Sequence, residues 1–206
     1  MRFFDFLFPP RADELVLRGI SDDEFLAKIA PRLVPATRPG TVALLPFNDS
    51  RVRSAVHEAK YRGSKRALRL FGSALADYLR DMDDVGRTTS YIYLVPVPLG
   101  KERRTERGFN QAEEIARGAL RGLDDRFILN INLLERVKET QTQVSLERRK
   151  REENMRGAFK ATRRADPAYT YIVIDDVLTT GATLQAAVDA LADAGAEHII
   201  PLALAH

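Results

Sequence analysis

The stretch from Tyr171 to Thr183 constrains the fold of this chain more than any other. Tyr171-Ile172-Val173-Ile174 run into Asp175-Asp176, and Val177-Leu178 lead on to Thr179-Thr180-Gly181-Ala182-Thr183. An apolar run over Tyr169–Asp175, rich in β-branched residues, reads as a strand buried on both faces, and such strands belong to parallel sheets covered by helices. The acids fall where the strand should end. The Thr/Gly turn then opens a helix from about Thr183 to Ala194, with Leu184, Ala187, Val188 and Leu191 inward and Gly195 at its C′ position. In a parallel sheet, ligands bind in the crevice beyond the strand carboxyl ends. Unpaired amides in the turn and first helical turn offer N–H groups and positive dipole to an anion, and Gly181 lets the backbone close around it. Carboxylates beside that cradle accept hydrogen bonds from sugar hydroxyls or hold Mg²⁺. A phosphate cradle next to a carboxylate pair is a site for a sugar phosphate.

Strands alternate with helices along the rest of the chain, which predicts an α/β fold: a twisted, mostly parallel sheet flanked by helices. Thr41–Phe47 reads as a short strand, edge-like because of Pro46. Asp49 or Ser50 caps a helix to about Tyr61 that Gly63 stops, and Ser64 caps the next, with Ala67, Leu68, Phe71, Leu75, Tyr78 and Leu79 at helical spacing. Tyr91–Val97 is a buried strand ending at Pro96-Val97-Pro98, followed by a strongly basic loop. Asn110 to Glu113 form a capping box for a helix to about Leu120. A short strand within 127–138, a charged helix near 146–155, a brief strand at Gly157–Lys160 and a closing strand at His198–Leu204 complete the pattern. Residues 1–40 read as an N-terminal appendage to a domain over 41–206. Within it a capping box at Ser21-Asp22-Asp23-Glu24 opens a helix to about Arg32, and Pro31, Pro35 and Pro39-Gly40 mark a linker.

Composition narrows the chemistry. The 206 residues contain no cysteine and three scattered histidines, which argues against disulfides, thiolate zinc, Fe–S clusters and a cysteine nucleophile. No apolar run approaches the ~20 residues of a membrane span, and the opening residues lack a signal-peptide pattern, so a soluble cytoplasmic protein is expected. Net charge is only +3, but residues 99–164 hold 17 Lys/Arg against 11 Asp/Glu, and residues 165–206 hold six acids and no Lys or Arg. A basic middle beside an acidic strand end points to a polyanionic ligand.

The segment 171–183 matches the phosphoribosyl-pyrophosphate (PRPP) signature of type I phosphoribosyltransferases. More narrowly, the chain resembles the ComF family of competence-associated, phosphoribosyltransferase-like proteins. The residues carrying this resemblance are Lys60-Tyr61-Arg62-Gly63, Val95-Pro96-Val97-Pro98-Leu99, Arg107-Gly108-Phe109-Asn110-Gln111-Ala112, Thr140-Gln141-Thr142-Gln143, Glu147-Arg148-Arg149, Asn154 and Arg156-Gly157-Ala158-Phe159. It covers about residues 41–206. The resemblance implies a type I phosphoribosyltransferase fold and a Mg²⁺-dependent transfer of a phosphoribosyl group from PRPP with release of pyrophosphate. It implies that Asp175 and Asp176 hold the ribose hydroxyls and that Thr179, Thr180, Gly181, Ala182 and Thr183 cradle the 5′-phosphate. Pro96, Val97, Pro98, Arg104 and Arg107 would form the pyrophosphate side, with Arg107 counted beside the two acids as catalytic; Lys101 and Arg103 are left open between ligand-facing and solvated. A flexible loop would fall near 138–156, with Gln141, Gln143, Arg149 and Asn154 as candidates.

Two departures qualify the resemblance. Family members commonly carry a zinc ribbon of Cys pairs after a Phe-Pro-Pro-like segment; here Arg11-Ala12-Asp13-Glu14 follow Phe8-Pro9-Pro10, and no zinc is expected. Purine-salvage relatives place an Asp before Thr-Gly, whereas Thr179 stands there and cannot serve as an acid or base near neutral pH, so hypoxanthine or guanine salvage is not expected. The expected partner is PRPP or another ribose 5-phosphate ligand, bound by the chain alone or as a homodimer, with no membrane. The alternative is a non-enzymatic PRPP sensor or single-stranded DNA-binding module of DNA uptake. Against it, only Phe109 and Phe159 lie near basic clusters in the linear sequence, and stacking platforms need more.

Overall fold

The computed structural model describes residues 11–83, 91–138 and 154–206. Gln141, Gln143 and Arg149, most of the charged helix expected near 146–155, and Phe8-Pro9-Pro10 lie outside the described residues. The centre is a six-stranded sheet in the order β1 (Arg32–Val34), β2 (Thr41–Leu45), β8 (His198–Ala205), β7 (Thr170–Val177), β3 (Ile92–Pro96), β4 (Phe127–Leu129). All neighbours are parallel except β1, which runs antiparallel to β2. A separate antiparallel pair, β5 (Leu134–Arg136) with β6 (Phe159–Ala161), packs on one face.

Strand alternation divides the interior in two. Leu44, Ile92, Leu94, Ile172, Ile174, Leu202 and Leu204 point to one side, where α3 (Ser50–Arg62), α4 (Lys65–Asp83) and α6 (Gln111–Ala119) cover them. Val95, Tyr171, Val173 and Ala203 point to the other, against α7 (Ala182–Asp193) and the β5–β6 pair. The helix starts follow the sequence signals. Asp49 caps α3 through the amides of Arg51 and Val52, Gly63 closes it in the left-handed conformation, and Ser64 accepts from Ala67 at the start of α4. Asn110 caps α6 by accepting from Ala112, while Glu113 turns to Arg117 instead of completing the box.

Four expectations need correction. The capping box of Ser21 and Glu24 forms, but the helix it opens, α2 (Asp22–Leu26), is short, and Arg32–Val34 is a strand. This places β1 on the sheet edge, so Thr41–Leu45 is internal; Pro46 lies just past the ladder and removes no hydrogen bond from it. The region 127–138 holds two short strands, not one. The basic run after β3 is a helix, α5 (Lys101–Arg107), between Gly100 and Gly108.

The N-terminal segment packs into the first cluster: Leu17 of α1 (Ala12–Gly19), Ile20 and Phe25 are buried, and Phe25 meets Phe71 edge-on at 5.5 Å. Arg11 forks onto the buried carboxylate of Glu58, while Asp13 pairs with His57 at 2.9 Å and accepts from Ser54 at 2.7 Å, tying α1 to α3.

Candidate functional site

From β3 the chain passes through α5 and α6 to β4 on one side; from β7 it passes through α7 to β8 on the other. The strand order therefore reverses between β3 and β7, and the crevice at their carboxyl ends is where open α/β sheets take ligands. Both halves of the predicted site converge there.

On the β7 side, alternation separates the two acids. Asp176 shares the side of Ile172 and Ile174 and meets α3 and α6: Lys60 Nζ lies 3.3 Å from one carboxylate oxygen and 3.4 Å from the other, and Gln111 Nε2 donates at 3.2 Å. Asp175 takes the opposite side, facing the turn and α7, and accepts the backbone N–H of Asp176 at 2.8 Å. Desolvation first, and the neighbouring Asp176 charge second, push the Asp175 carboxyl up to about 7, while the Asp176 amide, and after it Lys60 and Arg103, pull it back only partly. The adjacent acids thus differ: Asp176 is paired with Lys60 and Gln111, whereas the Asp175 carboxyl is held well above the ordinary carboxylate range.

The turn beyond them is set by Gly181. Its φ is +81°, and a Cβ there would lie 2.5 Å from the carbonyl oxygen of Ala36, so both conformation and space exclude a side chain. That close approach comes from the 35–40 loop, which Gln185 anchors by accepting from the Arg38 amide at 2.6 Å. Helix α7 starts at Ala182 with no side-chain cap and no acid in its first turn. Thr180 accepts a long 3.4 Å bond from Ala182, Thr179 is exposed, and Thr183 is half-buried. An uncapped N-terminus with threonines around it can bind an anionic group.

On the β3 side, Pro96-Val97-Pro98 are fixed from two directions: Val97 donates to Ile174 at 2.9 Å, and Asn110 Nδ2 donates to the Val97 carbonyl at 3.0 Å. Arg104 and Arg107 sit in the last turn of α5; Arg104 is mostly exposed with Glu113 at 3.9 Å, and the Arg107 guanidinium lies 5.5 Å from the centre of the Tyr61 ring. Arg103 acts electrostatically on Asp175, and Lys101 opens the helix at an exposed position. Asn154 heads a short helical turn that leads to buried Met155.

Comparison with known proteins gives relatives of one kind. Competence protein F of Haemophilus influenzae is 37% identical over 109 residues, 52% of this chain and 46% of that protein. Competence protein ComFC of Bacillus subtilis is 30% identical over 155 residues, 72% of this chain and 56% of that protein. The DNA utilization protein YhgH of Escherichia coli is 32% identical over 91 residues, 44% and 39% of the two chains. The chain belongs to the ComF family. No family model matches it. The chain spans about half the length of these two competence proteins.

Two motifs that carried the ComF resemblance turn out to be one structure. Lys60 and Gln111 both hold Asp176, Tyr61 carries Arg107, and the Phe109 ring packs against Gly63. Gly108 ends α5 and Asn110 begins α6, so every residue from Arg107 to Gln111 has an internal task. Lys60 and Gln111 were missed as site residues, although both stand inside motifs that carry the ComF resemblance. Their shared partner joins three distant segments, and spacing carries no trace of that. Lys60, Gln111 and Asp176 also line a small pocket with Val56, Ala59, Phe71, Ile115 and Leu204, which has room for little more than one water molecule.

Among the described residues no group of three or more His, Cys, Asp or Glu is placed to hold a metal, and no helix is long and apolar enough to cross a membrane. Asp175 is a hard oxygen donor of the kind that fits Mg²⁺ where a ligand brings further oxygens, which is how that ion usually binds, whereas Asp176 is already engaged by Lys60 and Gln111.

Proposed function

We propose that this ComF-family chain binds PRPP or a related ribose 5-phosphate ligand and transfers its phosphoribosyl group to an acceptor, on a fold of the type I phosphoribosyltransferase class. The observation that carries this reading is the unit formed by β7, the Gly181 turn and the uncapped N-terminus of α7, set at the strand-order reversal beside the basic helix α5. In this reading the amides of Thr180 to Thr183 take the 5′-phosphate, and Asp175 accepts from a ribose hydroxyl. Arg103, Arg104 and Arg107 balance the pyrophosphate charge. An acceptor attacks the anomeric carbon, the bond to pyrophosphate breaks, and its electron pair leaves with the pyrophosphate; the chain orients the ribose and stabilises the departing charge. Mg²⁺, bound with the ligand, would add to that neutralisation.

Calorimetry with PRPP, with and without Mg²⁺, followed by a pyrophosphate-release screen over candidate bases, tests the reading. Replacing Arg104 and Arg107 together by Ala should weaken PRPP far more than ribose 5-phosphate, by roughly 1.5–3 kcal/mol per charge-assisted bond before non-additivity. Equal weakening of both ligands counts against the pyrophosphate assignment.

A second reading, single-stranded DNA binding, is favoured by a feature hidden in the linear sequence. The register of β3 on β7 pairs Tyr93 with Tyr171, and Tyr91 and Tyr169 stand two residues earlier on the same side. Their rings form a tile: Tyr91–Tyr169 and Tyr93–Tyr169 are 5.5 Å apart, and Tyr93–Tyr171 are stacked at 5.6 Å. Arg163 acts electrostatically on Tyr171, and Tyr91 is 43% exposed. Tyr171 is buried, and Tyr93 and Tyr169 pack partly buried against the same cluster, so the exposed Tyr91 at the edge of the tile is the ring on which a base could stack. Relatives named for competence and DNA utilization support this direction. The tile sits at the amino ends of the strands, away from Asp175, so the readings separate experimentally. Tyr91→Ala with Tyr169→Ala should weaken oligothymidine binding and leave PRPP binding unchanged; unchanged oligothymidine binding rejects the tile.

A further inference from the structure

We infer that Lys60 is a built-in cation that determines how the acid pair responds to metal: its ammonium stands on Asp176 where a divalent ion would otherwise sit. The geometry is the first argument. Nζ is 3.3 Å from one Asp176 oxygen and 3.4 Å from the other, so it straddles the carboxylate near its bisector, the approach a chelated cation takes. Gln111 Nε2 takes a further position at 3.2 Å on Oδ2.

Placement is the second argument. Lys60 lies in the last turn of α3, where the helix dipole favours a cation. Its stem lines the pocket with Val56, Ala59, Phe71, Ile115 and Leu204, and its side chain is only 25% exposed. A packed stem fixes the ammonium, so little order is lost in holding it on Asp176. Gln111, 2% exposed, is equally immobile. A mobile divalent ion must displace a tethered charge and cannot gain the full attraction of the carboxylate.

The inference deepens the sugar-phosphate reading and rests on it for its biological meaning. It implies that metal reaches this site on the ligand's oxygens and on Asp175, and that Asp176 acts through Lys60. Two measurements test it at pH 8, above the Asp175 titration. The first uses Mn²⁺ alone, with free Mn²⁺ read by its electron paramagnetic resonance signal. Lys60→Met and Lys60→Gln should each bind Mn²⁺ at least tenfold more tightly than the unaltered protein, Lys60→Arg should match it, and adding Asp176→Asn to Lys60→Met should abolish the gain. The second measures ribose 5-phosphate affinity by calorimetry. Mg²⁺ should change it less than threefold in the unaltered protein and more than tenfold in Lys60→Met. Circular dichroism confirms that each variant is folded, and with two neutral replacements the loss of one leaves the other to decide. Failure of both neutral variants to gain Mn²⁺ affinity overturns the inference. Absence of any ribose 5-phosphate or PRPP binding in the unaltered protein instead overturns the proposed function, and the Mn²⁺ comparison still decides the role of Lys60.

Discussion

The carboxyl ends of β3 and β7 lie side by side, and both carry dense motifs, yet they are built in opposite ways. Beyond β3, the side chains are committed to one another: Asn110 to Val97, Gln111 to Asp176, Arg107 to Tyr61, Phe109 to Gly63. Beyond β7, the turn has no side-chain cap, and Asp175 carries a charge that its surroundings oppose. Motif density alone does not distinguish the two. A residue pattern can be demanding because it assembles a scaffold, or because it leaves groups waiting for a ligand, and hydrogen-bond partners tell which.

Two left-handed glycines give the largest test of that contrast. Gly181 and Gly108 have φ of 81° and 77°, but a Cβ at Gly181 meets Ala36 at 2.5 Å, and one at Gly108 meets nothing within 4 Å. Gly181→Ala should therefore cost roughly 2–4 kcal/mol, conformation plus collision, and Gly108→Ala about 1–2 kcal/mol for conformation alone. Urea unfolding of both variants measures the difference. Equal costs would mean that the 35–40 loop does not close on the β7 turn, and the distinction between the two ends would lose its steric basis.

The contrast also separates the two acids. Asp175 has its folded-state value raised to about 7, above the ordinary carboxylate value of the unfolded chain. The folded state then holds the extra proton, so this group lowers stability as pH rises from about 4 to about 7, and the loss is complete above that. Asp175→Asn keeps the acceptor for the Asp176 amide and removes the charge. It should be about 1–3 kcal/mol more stable than the unaltered protein at pH 8, equal to it near pH 4, and impaired in ribose 5-phosphate binding. Urea midpoints across that range check the slope. A constant difference between the proteins would show that Asp175 is an ordinary surface acid.

What the sequence could disclose follows the same division. The β7–turn–α7 unit was legible because it is local: apolar run, acids, glycine and helix lie within 25 residues of each other, and each signal has a local cause. The caps at Asp49, Ser64 and Asn110 were legible for that reason. Helix α5 was not, since its seven residues bury nothing and show no apolar period. Pro46 misled because its effect on a strand depends on whether it falls inside the ladder, and the ladder ends at Leu45. The Lys60–Asp176–Gln111 cluster and the tyrosine tile depend on which strands and helices become neighbours, and register between distant segments leaves no periodicity to read.

The smallest effect should come from Arg107, the residue on which the two descriptions of the β3 end disagree. If it serves architecture, its partner is Tyr61, a residue 57% exposed, and an exposed cation–π contact contributes about 0.5–1 kcal/mol. If it serves the ligand, the guanidinium must turn from that ring toward pyrophosphate when the site fills. A double-mutant cycle of Arg107→Ala and Tyr61→Ala, read from urea midpoints, isolates the contact from each residue's other neighbours. The coupling should be about 0.5 kcal/mol in the free protein and should fall to zero at saturating PRPP, because a guanidinium engaged with pyrophosphate has left the ring. A coupling that persists unchanged with ligand bound would keep Arg107 in the scaffold, leave the pyrophosphate charge to Arg103 and Arg104, and make the β3 end almost wholly architectural.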